Sequence, residues 1–280
     1  MSGENSMSDN SGGSDGNGHA RACLLSAERL AALTREHVER PLPRRFYEAV
    51  SVARAENGQH TVLLDGRALR TPLKKPLHLP TRALAEAIAA EWRAQEERIN
   101  PAAMPLTGLA NAAIDKAADE QERAALTKHI GELAAHDLLC YRADEATQPE
   151  LAVRQRAQWD PLLDWAAQAL GARLHCAQGI MPVTQPQEAI DALLPRYRQA
   201  DAFAFIALFA MATLSRSAVL PLALLHGRID AEQGWRAATL EEQWNMEQWG
   251  TDEQAQRQLE EKEQAFLAAA RFLRLLEKEG

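Results

Sequence analysis

From residue 104 to the end of this 280-residue chain, apolar residues recur at helical spacing almost without a gap. Strand-like alternation is confined to one stretch, RRFYEAVSVARAENGQHTVLLDGRALRTP, residues 44–72. A stripe repeating every three or four residues is buried along one side of a helix, while strict alternation buries one face of a sheet. The predicted class is therefore α+β: a small N-terminal antiparallel β-sheet domain followed by a larger C-terminal all-α helical bundle. Residues 1–25 read as a disordered low-complexity tail, 26–100 as the β-containing domain and 101–280 as the helical domain.

Within the alternating stretch, Asn57-Gly58 and Asp65-Gly66 suit tight hairpin turns, because both residue types tolerate positive φ. After LHLP, Thr81 is the predicted N-cap of a helix with Leu84, Ile88 and Trp92 on one side. Helical periods then cover about 119–140, 149–170, 187–200, 203–226, 230–248 and 252–278, with breaks at Gly171, Gly179, Pro182, Pro186 and Gly227. RLHCAQGIMPV, residues 173–183, is predicted as a short extended excursion, and SAERLAALTREHVER, residues 26–40, as a lead-in helix stopped by the following prolines. No repeat occurs at solenoid periods.

A content of 46% hydrophobic residues, much of it alanine, and only 5% aromatics favours closely packed helices over an all-β fold. The net charge of -8 argues against sequence-independent nucleic-acid binding, which needs a basic face to replace counterions at phosphates. PRR at 43–45 and LKK at 73–75 read as solvated edges. Cys23, Cys140 and Cys176 form an odd set with no close pair, so neither a disulfide framework nor a CxxC knuckle is expected and a reducing compartment fits. The start of the chain lacks the regions of a secretory signal, which leaves the cytoplasm as the expected location. AFAFIALFAMATL, residues 202–214, is cut off by Arg216 and Pro221 before the roughly 20 residues a bilayer requires, so a buried helix is expected and membrane insertion is not.

Motifs for chemistry are sparse. There is no glycine-rich phosphate cradle, no GxSxG elbow and no HExxH zinc helix. His129 and His136 share a helix face but stand roughly 10 Å apart along it, too far for one zinc. His226 beside Gly227 reads as a helix-terminus cation, and Cys140 in LLCYR as a small buried hydrophobe. The acid pairs Glu96-Glu97, Glu241-Glu242 and Glu260-Glu261 lie next to one another on helices and do not face each other across a cleft, as a glycosidase needs. The expectation is a non-enzyme with no catalytic residue, metal or cofactor. The alternative is a small hydrolase or transferase with an acidic site that the sequence does not assemble. A deep pocket with convergent polar groups would mark the enzyme, and a broad surface with an apolar centre the binding protein.

LEEQWNMEQWGTDEQAQ, residues 240–256, mixes indoles and acids on one helix. In a continuous helix, positions seven apart return to nearly the same side, so Trp235, Glu242 and Trp249 project together with Thr239 and Met246 between them. Glu242 then falls on the apolar stripe and needs a partner or a purpose: an ion pair with Arg216 or Arg236, or a functional role. Glu241 and Glu247, beside Trp244, are more easily kept in water.

Taken in order, RFYEAVSV at 45–52, LLDGRALRTP at 63–72, LPTRALAEAIAAEWRAQ at 79–95, MPLTGLANAAID at 104–115, DLLCYRAD at 137–144, QWDPLLDWA at 158–166, HGRIDAEQGW at 226–235 and LEEQWNMEQWG at 240–250 resemble the Atp12 chaperones, which assist assembly of the F1 sector of ATP synthase. The resemblance spans about Arg45 to Ala255; the tail before Ala20 is outside it, and Ser215-Arg216-Ser217 agrees only loosely. It implies a chaperone that binds the unassembled F1 α subunit and holds it until it pairs with β, working as a monomer. It also implies a functional glutamate in the LEE…WG motif, matching Glu241 or Glu242, with Trp249 and Gly250 in the same partner-binding motif. Trp92 matches a tryptophan read as packing the helix between the two domains. Trp159, Asp160 and Pro161 match the family's WDP, with Asp160 read as a cap ahead of a proline in the first helical turn.

Overall fold

The computed structural model describes residues 42–179 and 183–277. The predicted tail, the lead-in helix, Cys23 and residues 180–182 of the extended excursion lie outside these.

Both glycine dipeptides turn hairpins. β1 (Val50–Arg54) pairs antiparallel with β2 (His60–Leu64), with Val52 opposite Val62, and β2 pairs with the two-residue β3 (Arg67–Ala68). Asp65 and Gly66 sit at φ 47° and 78°, the consecutive left-handed pair such a turn demands. Asp65 also accepts hydrogen bonds from the backbone N–H of Ala49, at 2.8 Å, and of Glu48. These bonds hold its carboxyl below the ordinary range and fasten the turn to the strand entry.

α1 (Arg82–Arg93) starts at the predicted cap: Thr81 Oγ1 accepts from the N–H of Leu84. Leu84 and Ile88 are buried as expected, and α1 packs across β1 and β2. Trp92 closes a small cluster with Tyr47, Leu64, Ile99 and Met104, its ring edge-on to Tyr47 at 5.6 Å. The sheet is also tied to the far end of the chain, because Thr81 Oγ1 donates to the carbonyl of Leu275 at 2.5 Å.

The helical part continues with α2 (Pro105–Ala112), α3 (Glu120–Ala135), α4 (Pro149–Trp165), α5 (Gln187–Gln199), α6 (Ala202–Ser215), α7 (Val219–Leu225), α8 (Ala231–Ala238), α9 (Leu240–Trp249) and α10 (Glu253–Arg274). α6 is apolar on every side and buried from Phe205 to Ala212, which makes it the axis around which the others are arranged. α10 lies along it, stacking Phe272 on Phe203 at 6.3 Å. Among the described residues, no helix is long and apolar enough to cross a membrane. The excursion at 173–183 contributes β5 (Ala177–Gln178), which pairs parallel with β4 (Tyr141–Arg142).

Two predicted helices are each broken in two, for identifiable reasons. The run over 203–226 stops at Arg216, which adopts the left-handed conformation at φ 55°. A fully buried carboxylate sets the new start: Asp137 Oδ2 accepts from the N–H of Ala218 at 2.7 Å, the N–H of Val219 and the hydroxyl of Ser217. The run over 230–248 stops at Thr239, φ -115° and ψ 19°. There the carbonyl of Ala237, which a continuous helix offers to residue 241, accepts instead from the indole N–H of Trp159 at 2.9 Å.

Candidate functional site

The break at Thr239 decides where the acids and indoles of the LEE…WG segment go. Trp235 belongs to α8 and packs into the core against Phe266, with ring centroids 5.5 Å apart. Trp249 ends α9 with 86% of its surface in solvent. The expected stripe of Trp235, Glu242 and Trp249 therefore does not form, because the helix phase is reset between the first member and the other two. Within α9, Glu242 and Trp249 remain seven apart and lie on nearly the same side.

α9 is held against α4 by polar and aromatic contacts. Gln155 Nε2 donates to Glu241 Oε1 at 2.7 Å, and Gln155 Oε1 accepts from the N–H of Ala143 at the same distance, so this buried glutamine links α9 to the β4 segment. One turn along, Arg154 covers the buried ring of Trp244 at 4.6 Å and bonds Glu247 at 2.7 Å. Arg154 and Gln155 carry no sequence signal of this role. A glutamine between two arginines reads as solvated, and only the packing of α9 and the β4 segment against it buries it.

The two adjacent glutamates exchange the roles expected of them. Glu241, predicted to face water, is half-buried against Gln155, and burial, with the neighbouring Glu242 charge, raises its carboxyl above the ordinary range. Glu242, predicted on the apolar stripe, is partly exposed: Oε1 accepts from Arg216 at 3.0 Å, while Oε2 is turned inward and accepts no hydrogen bond. Arg216 is thus its partner, as one of the two arginines considered, but the pair is a surface pair and not a core one. Gly250 follows Trp249 at φ 82° and ψ -179°, a conformation essentially restricted to glycine, and turns the chain sharply into α10. On the other flank of α9, a cleft of about 290 Å³ is lined by Trp235, Gln243, Met246, Leu259 and Glu263. A second, larger groove of about 690 Å³ runs between α3 and α5, with Ile190 and Leu194 at its floor and Arg123, Lys128 and Glu132 at its rim.

The WDP residues lie inside α4. Asp160 is therefore not a cap, and Pro161 is an interior proline. Asp160 pairs with Arg142 of β4 at 2.7 Å, and Arg142 in turn covers the ring of Trp159 at 5.2 Å. Trp159 is buried completely and, through Ala237, fixes the joint from which α9 departs. Trp92 stands apart from this assembly, in the cluster under the sheet. His129 is buried, with Glu132 at 3.5 Å and the ring of Phe209 at 5.8 Å, while His136 meets the Tyr141 hydroxyl at 3.2 Å. His226 caps α7 and packs against Trp165 at 5.6 Å.

The arrangement is a surface with an exposed indole and a rim of ion pairs, built on a helix jointed at Thr239. A family model described as ATP12 chaperone protein matches residues 44–167. The mitochondrial protein atp12 of Schizosaccharomyces pombe is 26% identical over 244 residues, covering 83% of this chain and 84% of that one. The crystal structure of Atp12 from Paracoccus denitrificans is 41% identical, superimposes with a TM-score of 0.75 and covers 84% of this chain and 99% of its own. A crystal structure from Agrobacterium tumefaciens is 39% identical with a TM-score of 0.78, over 91% of this chain and all of the other. The chain belongs to the Atp12 family of chaperones.

Proposed function

We propose that this protein is an assembly chaperone for the F1 ATP synthase α subunit, covering the subunit interface of α until the β subunit replaces it. The observation that carries the reading is Trp249, a large indole left in solvent on the same side of α9 as Glu242. Isolated apolar side chains at a surface are ordinary, but an indole framed by charged groups is the kind of residue that dominates association energies once a partner covers it. Glu242, partly exposed and paired with Arg216, places a charge beside it, Glu241 holds the helix in place through Gln155, and Gly250 fixes the turn that presents the indole.

An unassembled α subunit exposes adhesive surface meant for β, and such patches drive aggregation. A chaperone that covers the patch and yields to β by competition needs only an affinity below that of the final interface. The protein acts as a monomer in the cytoplasm on this reading.

The test is to refold isolated F1 α subunit with and without the protein, following light scattering and then co-elution on a sizing column. Scattering should fall, and a complex should form that dissolves when β is added. The Trp249→Ala and Glu242→Gln variants should keep their thermal stability while losing most of the suppression. Undiminished scattering with no co-elution would overturn the assignment of the client.

A further inference from the structure

The three cysteines look unrelated in the sequence, but two of them meet in the fold. β4 and β5 pair parallel with Tyr141 opposite Ala177, so the residues one position earlier, Cys140 and Cys176, are brought side by side. Neighbouring strands lie about 4.8 Å apart, within the Cα separation of about 4.4–6.8 Å that a disulfide spans. Both are free thiols, Cys140 buried and Cys176 exposed.

We propose that Cys140 and Cys176 form a redox site in which Cys176 is the thiol that small hydroperoxides oxidise first and Cys140 is the resolving thiol that closes a disulfide. The surroundings divide the two roles. The guanidinium of Arg142 places Nη2 3.7 Å from the Cys176 sulfur, and Arg142 is itself held by Asp160 at 2.7 Å. The neighbouring Cys140 thiol, followed by the Arg142 guanidinium, holds the Cys176 thiol below its ordinary range, which favours its thiolate. The neighbouring Cys176, with burial, pushes the Cys140 thiol up, which keeps it protonated until its neighbour is oxidised.

The chemistry balances without any further reagent. The Cys176 thiolate attacks one oxygen of the hydroperoxide; the S–O bond forms, the O–O bond breaks, and an alkoxide or hydroxide leaves and takes a proton from water. Cys140 then attacks the sulfenic sulfur of Cys176, the S–O bond breaks, and the Cys140 proton leaves with the hydroxyl as water. Two thiols have lost two electrons, and the hydroperoxide has been reduced to an alcohol or water. The disulfide closes a loop that contains all of α4, the helix on which α9 rests.

The experiment treats the full-length chain with a small excess of hydrogen peroxide and maps tryptic peptides by mass spectrometry without reduction. The expected product is a Cys140–Cys176 peptide pair lighter by about two mass units, the two thiol hydrogens. In the Cys140→Ala variant the reaction should stop at a Cys176 sulfenic acid that dimedone captures, and in Cys176→Ala the Cys140 thiol should stay reduced. Because the first measurement uses the unaltered chain, it does not depend on either variant folding. Recovery of both thiols unmodified, or of cross-links that run only through Cys23, would overturn the proposal.

Discussion

Asp137 offers the sharpest test of how the helices are joined. Its carboxylate is buried completely and accepts four hydrogen bonds, from the N–H of Leu139 at 3.0 Å, the Ser217 hydroxyl at 3.0 Å, and the N–H groups of Ala218 at 2.7 Å and Val219 at 3.2 Å. Replacing it by alanine removes all four and leaves their donors inside the protein. At about 1 kcal/mol net for each bond, Asp137→Ala should cost about 4 kcal/mol, a large part of the roughly 5–15 kcal/mol that a domain commonly has. Asp137→Asn retains one acceptor oxygen and should cost about 1–2 kcal/mol.

The two variants also differ from the parent in their response to pH. Desolvation outweighs the hydrogen bonds and lifts the Asp137 carboxyl from 3.8 to about 6. A pKa raised in the folded state means that the native chain binds the proton more tightly than the unfolded chain. The resulting stability is fully present below about 3.8 and is lost as pH rises through about 6. The whole interval corresponds to about 3 kcal/mol, of which roughly half is lost between about pH 5 and about pH 7.5. Asparagine does not titrate, so the stability gap between parent and Asp137→Asn should narrow by about 1.4 kcal/mol over that range. Urea unfolding followed by tryptophan fluorescence at the two pH values measures both effects. A loss under about 1 kcal/mol in Asp137→Ala would refute the account of this residue as the joint between α6 and α7.

Other outcomes follow from single contacts. Trp159→Phe should lose the bond to the Ala237 carbonyl and about 1 kcal/mol, and Trp159→Ala about 3–5 kcal/mol, as read by denaturant midpoints. Glu91 accepts from the N–H groups of Leu106 and Thr107 and from the Thr107 hydroxyl, so Glu91→Ala should expose the start of α2 and cost about 2–3 kcal/mol in the same assay. Gly250→Ala places a side chain at φ 82° and ψ -179° and should cost about 1–3 kcal/mol or displace α10, seen as faster amide exchange along that helix. The Arg216–Glu242 pair lies at the surface, so Glu242→Gln should alter stability by no more than about 1 kcal/mol, leaving any larger effect on client rescue to be read as binding.

Much of the fold is written locally. The turns at Asn57-Gly58 and Asp65-Gly66 and the cap at Thr81 were legible because each depends on a residue and its immediate neighbours. The ends of α4 at Pro149 and Gly171 follow the same logic, although a widened helical turn from Ala166 to Leu170 completes it. The breaks at Arg216 and Thr239 were not legible, because their causes lie far along the chain: Asp137 for the first and Trp159 for the second. Nothing near Thr239 announces that a tryptophan some eighty positions earlier takes the carbonyl of Ala237. The same long reach explains the reversed glutamates, whose surroundings are set by Gln155 and Arg216. It also explains Cys140 and Cys176, which only the pairing of two very short strands brings together. Periodicity places a side chain on its own helix, and only tertiary packing fixes the phase of the next.

The break at Thr239 also bears on how this surface can change over evolutionary time. Had α8 and α9 been one rod, every residue on the outer side of the second half would be tied in phase to the tryptophan sunk in the first. A substitution altering what the surface recognises would then have to remain compatible with the core. With the rods decoupled, Trp235 can stay under strict packing constraint while the exposed positions around Trp249, which the proposed function sets against a client, are free to vary. Recognition and stability thereby become separately variable traits in one short stretch of chain.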